Sequence, residues 1–466
     1  MTAPHKNVPP GLLFEPFKIK TVEALPFSSQ REREQWIQDV HYNVFALNSA
    51  QVMIDLLTDS GTSAMSDLQW ADMMKADEAY AGSRTFLELQ ATARELTGMP
   101  EILPVHQGRA AEHLLFSSLL SGGETIPSNG LFDTTLANIQ DCGATGINLP
   151  CAEALDPFAE NPFKGNIDLE QLEKLLAQKD SKIPLVVMTI TNNTGGGQPV
   201  SYQNLEAVSK LCKKHKKFFV LDACRFAENS YFIKSREAGF ANLSPREIAS
   251  KCFALCDAVT FSGKKDALVN IGGLLCVRDA ALGDRLKNRM LVVEGFPTYG
   301  GLAAYSMAAM NQGLHEVLDE KYLEYRLRTI SWIVERLAAA GVPVLRPAGG
   351  HAVYLEASNF FPHIDRENLP GIALTTALYT EGGIRGCELG TVAFGYRDSH
   401  GKHVLPHLDL VRLAIPRRVY TEAHMGYVVN CLVDMHRRRD DFVGFEFLEE
   451  FPVLRHFRSK FRKLGS

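Results

Sequence analysis

The chain has 466 residues, and 49 lysines and arginines against 54 aspartates and glutamates give a formal net charge of −5. A hydrophobic fraction of 45% is ordinary for a globular protein with a large core, and the nearly balanced charge gives no reason to expect a nucleic-acid or membrane partner. No run spans a bilayer, residues 1–20 lack a secretory signal, and nine cysteines without a CxxC pair indicate neither disulfides nor zinc. We therefore expect a cytoplasmic enzyme.

The first part of the chain predicts an arm followed by alternating strands and helices. Residues 1–45 are expected to be irregular, because prolines at positions 9, 10, 16 and 26 interrupt any long helix. Short apolar runs at 185–190, 218–223, 258–262 and 272–277 predict buried strands, and residues 204–217 predict an amphipathic helix between the first two. This alternation predicts an α/β protein with a mainly parallel sheet covered on both faces.

After residue 300 the pattern changes to that of a smaller α+β domain. Residues 302–341 predict one long helix that ends at Gly341, with Pro343 beyond it. Residues 371–383 predict a further helix, and the basic tail at 455–466 predicts a solvated helix face. We therefore expect an N-terminal arm at 1–50 that joins the C-terminal region, a large domain at 51–310 and a small domain at 311–466.

Two adjacent lysines in the segment FSGKKDALVNIGG (261–273) carry the strongest local signal. A lysine nucleophile needs a lowered pKa so that part of its amine is neutral, and the cation at Lys264 would lower the pKa of Lys265. Ser262 and the backbone amides of the turn offer a place for a phosphate. The alternative interpretation is a solvent-exposed turn of charged residues.

A second signal lies in LDACRFAENSYF (221–232), where Asp222 ends an apolar strand. An ionised carboxylate in that position needs a cationic partner. A protonated pyridine nitrogen is such a partner, and the charge pair would keep that nitrogen protonated as an electron sink. Arg225 would flank the same ring. The alternative is a structural ion pair between Asp222 and Arg225.

Two weaker segments complete the set. In PVHQGRAAEHLL (104–115), a glycine at a helix start lets backbone amides face an anion, and Arg109 adds positive charge. In TNNTGGGQP (191–199), Asn193 precedes three glycines, and the absence of GxGxxG argues against NAD binding; a turn without a ligand is the default there. Together, Lys265 for an imine, Asp222 for a pyridinium and an anion site are what pyridoxal phosphate requires.

Long segments dispersed over almost the whole chain resemble the β-eliminating lyases of fold type I, which comprise tryptophanases and tyrosine phenol-lyases. These segments are EPFKIK, IDLLTDSGTSAMS, DEAYAGSR, HQGRAAE, GGQPVS, RFAENSYFIK, SGKKDALVNIGG, EGFPTYGGL, GGHAVYL and VRLAIPRRVYT. The resemblance implies a large domain with the aspartate aminotransferase-like fold, pyridoxal phosphate as cofactor, a monovalent cation that is normally potassium, and a homotetramer whose substrate is an amino acid.

The resemblance also implies roles for individual residues. Lys265 resembles the Schiff-base lysine that moves the substrate α-proton, Arg412 the arginine that binds the substrate carboxylate, and Tyr80 the phenol that assists proton transfer to the leaving group. The implied cofactor contacts are Gln107, Gly108, Arg109, Ser262 and Lys264 on the phosphate side, Phe132 stacked on the ring, Asp222 at the pyridine nitrogen, Asn193 and Arg225 near the phenolic oxygen, and Tyr299. Glu78 and the carbonyls of Gly61 and Asn270 resemble the cation site. Alternatives are packing roles for Tyr80 and Phe132 and a strand-edge ion pair for Arg412.

The leaving group depends on a few positions. Tyrosine phenol-lyases have a threonine after the stacking phenylalanine and an arginine that reads the phenol hydroxyl, whereas this chain has Asp133 and Leu389. An aspartate can accept the indole N–H, and a leucine can pack on the wider ring. Phe296 and His456 also resemble tryptophanases, so these positions favour cleavage of tryptophan to indole, pyruvate and ammonia through a quinonoid intermediate.

Other features keep alternatives open. SGKKD and IPRRVY resemble the phenol-lyase versions, and Cys387 matches neither subfamily's usual residue. Tyrosine or other β-substituted amino acids are therefore alternative substrates. An aminotransferase on the same fold and a non-catalytic relative are further alternatives, and the presence of Lys265, Asp222 and Arg412 argues against the second.

Overall fold

The computed structural model describes residues 15–178, 181–452 and 454–465, so the prolines at positions 9 and 10 lie outside the described residues. Up to residue 293 the helices and strands are α1 Gln30–Asp39, β1 Ile54–Asp55, α2 Asp67–Lys75, α3 Arg84–Thr97, β2 Glu101–Val105, α4 Gly108–Leu119, β3 Thr125–Ser128, α5 Asp133–Asp141, β4 Thr145–Asn148, α6 Leu169–Leu176, β5 Leu185–Thr189, α7 Tyr202–His215, β6 Phe218–Asp222, α8 Phe226–Arg236, α9 Pro245–Phe253, β7 Ala258–Ser262, α10 Gly263–Asp266, β8 Gly273–Val277 and α11 Ala280–Val293. They are followed by α12 Ala304–Glu316, α13 Glu320–Ala339, β9 Ala352–Glu356, α14 Ala357–Phe360, α15 Pro370–Gly382, β10 Ile384–Arg385, β11 Cys387–Leu389, β12 Tyr396–Arg397, β13 His403–Val404, β14 Leu410–Ala414, α16 Glu422–Arg437, β15 Phe445–Glu449, α17 Arg455–Arg458 and β16 Lys460–Lys463. Among these helices, none combines the length and apolarity needed to cross a membrane.

A seven-stranded sheet, here called the large sheet, has the strand order β2-β8-β7-β6-β5-β3-β4. Strands β7 to β4 are parallel in this order, and β8 is antiparallel to both of its neighbours. The four apolar runs in the sequence correspond to β5, β6, β7 and β8, so the predicted mainly parallel sheet is confirmed. Because parallel strands end at the same edge of a sheet, Asp222 and Ser262, the last residues of β6 and β7, lie side by side there.

Both faces of the large sheet are buried, which explains why its strands are continuous apolar runs. Val186 and Met188 of β5 belong to one hydrophobic core, and Leu185 and Val187 belong to the core on the other face. Successive side chains of a strand point to opposite faces, so a strand covered on both sides needs an apolar residue at every position.

A three-stranded antiparallel sheet, here called the small sheet, has the strand order β11-β14-β9. The hydrophobic core around it is separate from the two cores on the faces of the large sheet and is here called the second core. The N-terminal segment joins this part of the chain, because β1 pairs with β10 and Arg33 of α1 donates hydrogen bonds to the carbonyls of Thr380 and Glu381. Helix α13 contributes Leu323 to the core of the large sheet and Ile330 to the second core. The domain boundaries expected at residues 50 and 310 stay predictions.

Three expectations about secondary structure were wrong. The arm contains α1, which begins with a reciprocal capping box between Ser29 and Glu32. The helix expected at 302–341 is two helices, because Asp319 caps a new start by accepting a hydrogen bond from the Tyr322 amide. The tail is not only a solvated helix: α17 is followed by β16, which pairs with β15 and buries Phe461 in the second core.

Candidate active site

A cavity of about 270 Å³ lies at the carboxyl ends of β5, β6 and β7 and is closed on its other side by β11 and β14. The predicted site residues that line it are Gln107, Gly108, Arg109, Phe132, Asp133, Asn193, Asp222, Arg225, Ser262, Lys264, Lys265, Cys387, Leu389, Arg412 and His456. The structure therefore brings together the two lysines, the strand-end carboxylate and the arginine of the small sheet, which are far apart in the sequence.

Asp222 is a buried carboxylate that makes no ion pair with any described residue, although the charges of Lys265 and Arg225 are near enough to act on it. It is 5% exposed and accepts hydrogen bonds from the Cys224 amide at 3.3 Å and the Cys224 thiol at 2.7 Å. Burial raises its pKa. The alternative of an Asp222–Arg225 ion pair is wrong, because the Arg225 guanidinium donates two hydrogen bonds to Asp59, at 3.0 and 2.7 Å. Asp222 can therefore pair with a cation that a ligand supplies.

Helix α4 offers an anion site at the same cavity. The helix begins at Gly108, and its N-cap residue Gln107 makes no side-chain capping hydrogen bond, so its first amides are open to a ligand. A Cβ atom at Gly108 would lie 2.8 Å from the Ser262 Cβ, so only glycine lets α4 start this close to the end of β7. Lys264 and Arg109 add positive charge, which suits a phosphate group.

The two adjacent lysines lie on the short helix α10, and the alternative of a solvent-exposed charged turn is wrong. The neighbouring Asp266 is fully buried and accepts hydrogen bonds from Arg417 at 3.0 Å and from the Ala227 amide at 2.8 Å. Burial, followed by the charges of Lys265 and Arg109, lowers the pKa of Lys264. The expected lowering of the pKa of Lys265 itself stays a prediction.

Arg412 is a buried cation whose described surroundings contain no carboxylate partner. It is 6% exposed and donates to the Leu57 carbonyl at 2.9 Å and to the Asn193 side-chain oxygen at 3.2 Å, while its Nε has no hydrogen-bond partner. It lies on β14, the central strand of the small sheet, so the alternative of a strand-edge ion pair is wrong. A buried guanidinium of this kind suits the carboxylate of a ligand.

Asp133 and His456 form one wall of the cavity. The His456 Nε2 atom lies 3.3 Å from a carboxylate oxygen of Asp133, and both side chains are buried. Two aromatic residues that the sequence analysis missed, Phe45 and Phe457, line the cavity and have ring centroids 4.9 Å apart. Phe457 adjoins His456 in the chain, but Phe45 comes from the segment predicted to be irregular, where no periodicity could identify it.

Glu112 is a third cavity residue that the sequence did not single out. It lies on α4 inside the HQGRAAE segment, lines the cavity and is buried at 6% exposure. Thr135 donates a hydrogen bond to it at 2.5 Å. Burial, with the charge of Asp222 as the next cause, raises its pKa to about 8, so this carboxyl is mainly protonated at neutral pH. The only sequence signal was a carboxylate on an otherwise apolar helix face.

Six predicted site residues lie outside this cavity. Tyr80, Phe296 and Tyr299 form an aromatic cluster in which the Tyr80 ring centroid lies 5.5 Å and 5.2 Å from the other two, and Tyr80 is 71% exposed. The remaining three are Glu78, Gly61 and Asn270. Glu78 accepts hydrogen bonds from the amides at the start of α12, and the Asn270 side chain donates a hydrogen bond to the Gly61 carbonyl at 3.0 Å. The roles of all six stay predictions, and the part of the chain that the structure describes holds no cluster of three His, Cys, Asp or Glu side chains suited to a metal.

Comparison with known proteins identifies related sequences over the full site. The model of the β-eliminating lyase family matches residues 55–431. A tryptophanase from Hyphomonas neptunium is 50% identical over 452 residues, which cover 97% of this chain and 99% of the relative. A tyrosine phenol-lyase from Pasteurella multocida is 44% identical over 448 residues, which cover 96% of this chain and 98% of the relative.

Solved structures with low sequence identity share the fold. An aspartate aminotransferase from Thermotoga maritima, 13% identical, has a TM-score of 0.60 and covers 89% of this chain and 98% of its own. A serine palmitoyltransferase from S. paucimobilis, 15% identical and solved with a PLP-myriocin aldimine, has a TM-score of 0.59 and covers 88% of this chain and 97% of its own. The predicted fold type I architecture is thereby confirmed.

Proposed function

The chain belongs to the β-eliminating lyase family, and from this premise we propose that it cleaves L-tryptophan to indole, pyruvate and ammonia with pyridoxal phosphate as cofactor. One observation carries the proposal: Asp222 and Arg412, a buried carboxylate and a buried guanidinium, line one cavity with Lys265, and neither has an ion-pair partner in the described chain. A protonated heterocycle and an amino-acid carboxylate are the ligands that such a pair requires.

The residues present fit pyridoxal phosphate. Asp222 would hold the pyridine nitrogen, and the uncapped start of α4 with Ser262 and Lys264 would hold the phosphate. Phe132 would stack on the ring, with Asn193 and Arg225 near the phenolic oxygen. When bound, the cofactor supplies an electron sink for the negative charge that develops at the substrate α-carbon.

The side chains of the cavity then have separate tasks. Arg412 binds the substrate carboxylate and so orients the α C–H bond toward the Lys265 amine, which takes and returns the α-proton. Asp133, steadied by His456, accepts the indole N–H while the ring is protonated at C3, which makes indole a competent leaving group. Leu389 and Cys387 pack against the indole ring, and the residual fragment is hydrolysed to pyruvate and ammonia.

We also propose a homotetramer, because a single chain leaves Tyr80 outside the cavity and exposed. In this proposal a neighbouring copy brings the cluster of Tyr80, Phe296 and Tyr299 to the cavity, and Tyr80 passes a proton to the leaving group. Glu78 with the carbonyls of Gly61 and Asn270 is proposed to bind potassium. Sedimentation measures the assembly, and activity in potassium against tetramethylammonium chloride measures the cation requirement.

The test compares pyruvate release from tryptophan and from tyrosine by the purified protein with pyridoxal phosphate and potassium. Dominant release with indole supports the proposal. Dominant release with phenol would mean that Asp133 and Leu389 do not set specificity and that the likeness of SGKKD and IPRRVY to phenol-lyases is the better guide. Activity only on an amino acid with a good leaving group would retain the elimination chemistry and refute the aromatic substrate.

A further inference from the structure

The side chain of Asn193 is held in one orientation by three neighbours. Its Oδ1 atom lies 2.7 Å from the Tyr354 hydroxyl, 3.1 Å from the His351 Nε2 atom and 3.2 Å from the Arg412 Nη1 atom. A guanidinium can only donate, so the atom facing Arg412 must be the amide oxygen and not the amide nitrogen. The Nδ2 atom of Asn193 has no hydrogen-bond partner within the described ranges, and Asn193 lines the cavity. This amide nitrogen is therefore available to a ligand.

His351, which contacts both Asn193 and Tyr354, is a neutral ring with its hydrogen on Nε2. His351 is fully buried, and burial, followed by the charge of Arg225, lowers its pKa well below the ordinary value, so the ring is neutral. Its Nδ1 atom has no hydrogen-bond partner among the residues that the structure describes, whereas its Nε2 atom lies 3.1 Å from both the Tyr354 hydroxyl and the Asn193 Oδ1 atom. A ring hydrogen on Nε2 serves both of its neighbours, because the Tyr354 hydroxyl and the Asn193 Oδ1 atom, each 3.1 Å away, can accept it, while the Tyr354 hydroxyl donates its own hydrogen to Asn193 at 2.7 Å.

Tyr354 also adjoins the arginine of the cavity. It is 2% exposed and lies on β9, directly opposite Arg412 of β14 in the antiparallel register. Without the hydroxyl, the Asn193 oxygen loses its shortest hydrogen bond and keeps only the longer contacts with His351 at 3.1 Å and Arg412 at 3.2 Å, so the amide is held less firmly. One hydroxyl thus restrains both the amide and the guanidinium.

We propose that Tyr354 is a positioning residue whose hydroxyl directs the Asn193 amide nitrogen to the phenolic oxygen of the cofactor and keeps Arg412 aligned with the substrate carboxylate. The inference rests on the proposed function for the roles of Asn193 and Arg412, and it adds a residue to which that function assigned no role. An N–H donated to the phenolic oxygen weakens the attraction between that oxygen and the proton of the Lys265 imine. The hydroxyl therefore makes the imine easier to deprotonate.

The test is the pH midpoint of the visible absorbance change of the bound cofactor in Tyr354→Phe, measured without substrate. Loss of one buried hydrogen bond predicts an upward shift of roughly 0.5–1 pH unit and a fall in kcat/KM of about two- to tenfold. Tyr379→Phe is the matched control, because it removes a buried hydroxyl that donates to the Gln51 carbonyl at 3.1 Å outside the cavity. Its midpoint should equal that of the wild type, and an unchanged midpoint in Tyr354→Phe would overturn the proposal.

A second variant keeps the test decisive if Tyr354→Phe folds poorly. Asn193→Ala should raise the midpoint in the same direction, and adding Tyr354→Phe to it should produce no further shift, since Tyr354 acts through Asn193. A wild-type midpoint in Asn193→Ala, or additive shifts in the double variant, would refute the inference. Because no substrate is present, a wrong leaving group in the proposed function leaves these outcomes unaffected.

Discussion

Arg417 is expected to be one of the most costly residues to replace, because its guanidinium donates hydrogen bonds to three buried carboxyl groups. It is fully buried and donates to Asp59 at 2.8 Å, to Glu228 at 3.0 Å and to Asp266 at 3.0 Å. In Arg417→Met, Asp59 keeps its pair with Arg225 and Glu228 keeps Arg326. Of the three carboxyl groups, Asp266 is then the one left without an arginine ion pair among the described residues. Breaking a buried ion group typically costs about 3–5 kcal/mol, and the two remaining pairs place this substitution near the lower end, about 3 kcal/mol.

The pH dependence of this loss follows from the state of Asp266. Burial raises its pKa to about 7 even with Arg417 present. Below pH 7 the carboxyl is therefore protonated in both proteins, and the substitution lowers the free energy of unfolding only a little. Above pH 7 the wild type ionises Asp266 against Arg417, whereas the variant must keep it protonated in the folded state. The destabilisation of Arg417→Met should therefore grow as the pH rises above about 7.

Urea unfolding followed by circular dichroism, at one protein concentration and at pH values below and above 7, measures this prediction. Arg418→Met is the control, since Arg418 is partly exposed, pairs with one described carboxylate, Glu316 at 2.7 Å, and has its guanidinium 5.0 Å from the centroid of the Tyr322 ring. Its loss should be below about 1.5 kcal/mol, because a partly solvated pair contributes little. A loss for Arg417→Met that above pH 7 is no larger than that of the control, or one that shrinks with rising pH, would refute the reasoning.

Three further predictions concern the cavity and the thiols. Asp133→Ala should lower kcat/KM for tryptophan by about 10- to 100-fold more than for a β-substituted amino acid with a good leaving group, since a charged acceptor is lost only for indole; equal losses in steady-state assays would refute its role. The folded-state pKa of Glu112 is raised to about 8, so its stabilising effect is complete below about pH 4.5 and disappears as the pH rises toward 8. Thermal unfolding of the cofactor-free protein should accordingly show a smaller decline over this pH interval in Glu112→Gln, and parallel curves would contradict it. All nine cysteines are free and burial raises the pKa of each thiol, so a disulfide reagent should react far more slowly with the native protein than in guanidinium chloride; rapid native reaction would show that the thiols are accessible.

What the sequence predicted correctly was local in origin. The strands of the large sheet were recognisable because both faces are buried, which demands an uninterrupted apolar run such as Leu185–Thr189. Asp222 and Ser262 were recognisable because each is a polar residue at the end of such a run, and the carboxyl ends of parallel strands are where ligands bind. One local feature was nevertheless predicted wrongly: the split between α12 and α13 depends on a single capping side chain, Asp319, inside a segment of continuous helical periodicity.

What the sequence could not predict depends on partners that are distant in the chain. Arg225 pairs with Asp59, 166 residues earlier, and no local pattern distinguishes that partner from the nearby Asp222. The roles expected for Arg412 and His456 came from the resemblance to a family, because these side chains reach the cavity only when the C-terminal part of the chain packs against the large sheet. The saturated oxygen of Asn193 is likewise a product of three segments that meet only in the folded chain.

The small sheet separates two kinds of recognition that substrates of this type need. Arg412, proposed to hold the group common to all amino acids, lies on its central strand, while Leu389 and Cys387 lie on the short edge strand β11. Strand β11 pairs with β14 on the side opposite β9, so Cys387 and Leu389 take no part in the pairing of β14 with β9. Glu388 between them is buried and accepts hydrogen bonds from three backbone amides, which makes it part of the framework. The proposed contact with the substrate carboxylate and the proposed contacts with the departing side chain thus lie on different strands, and redesign of the substrate range would begin at Cys387 and Leu389.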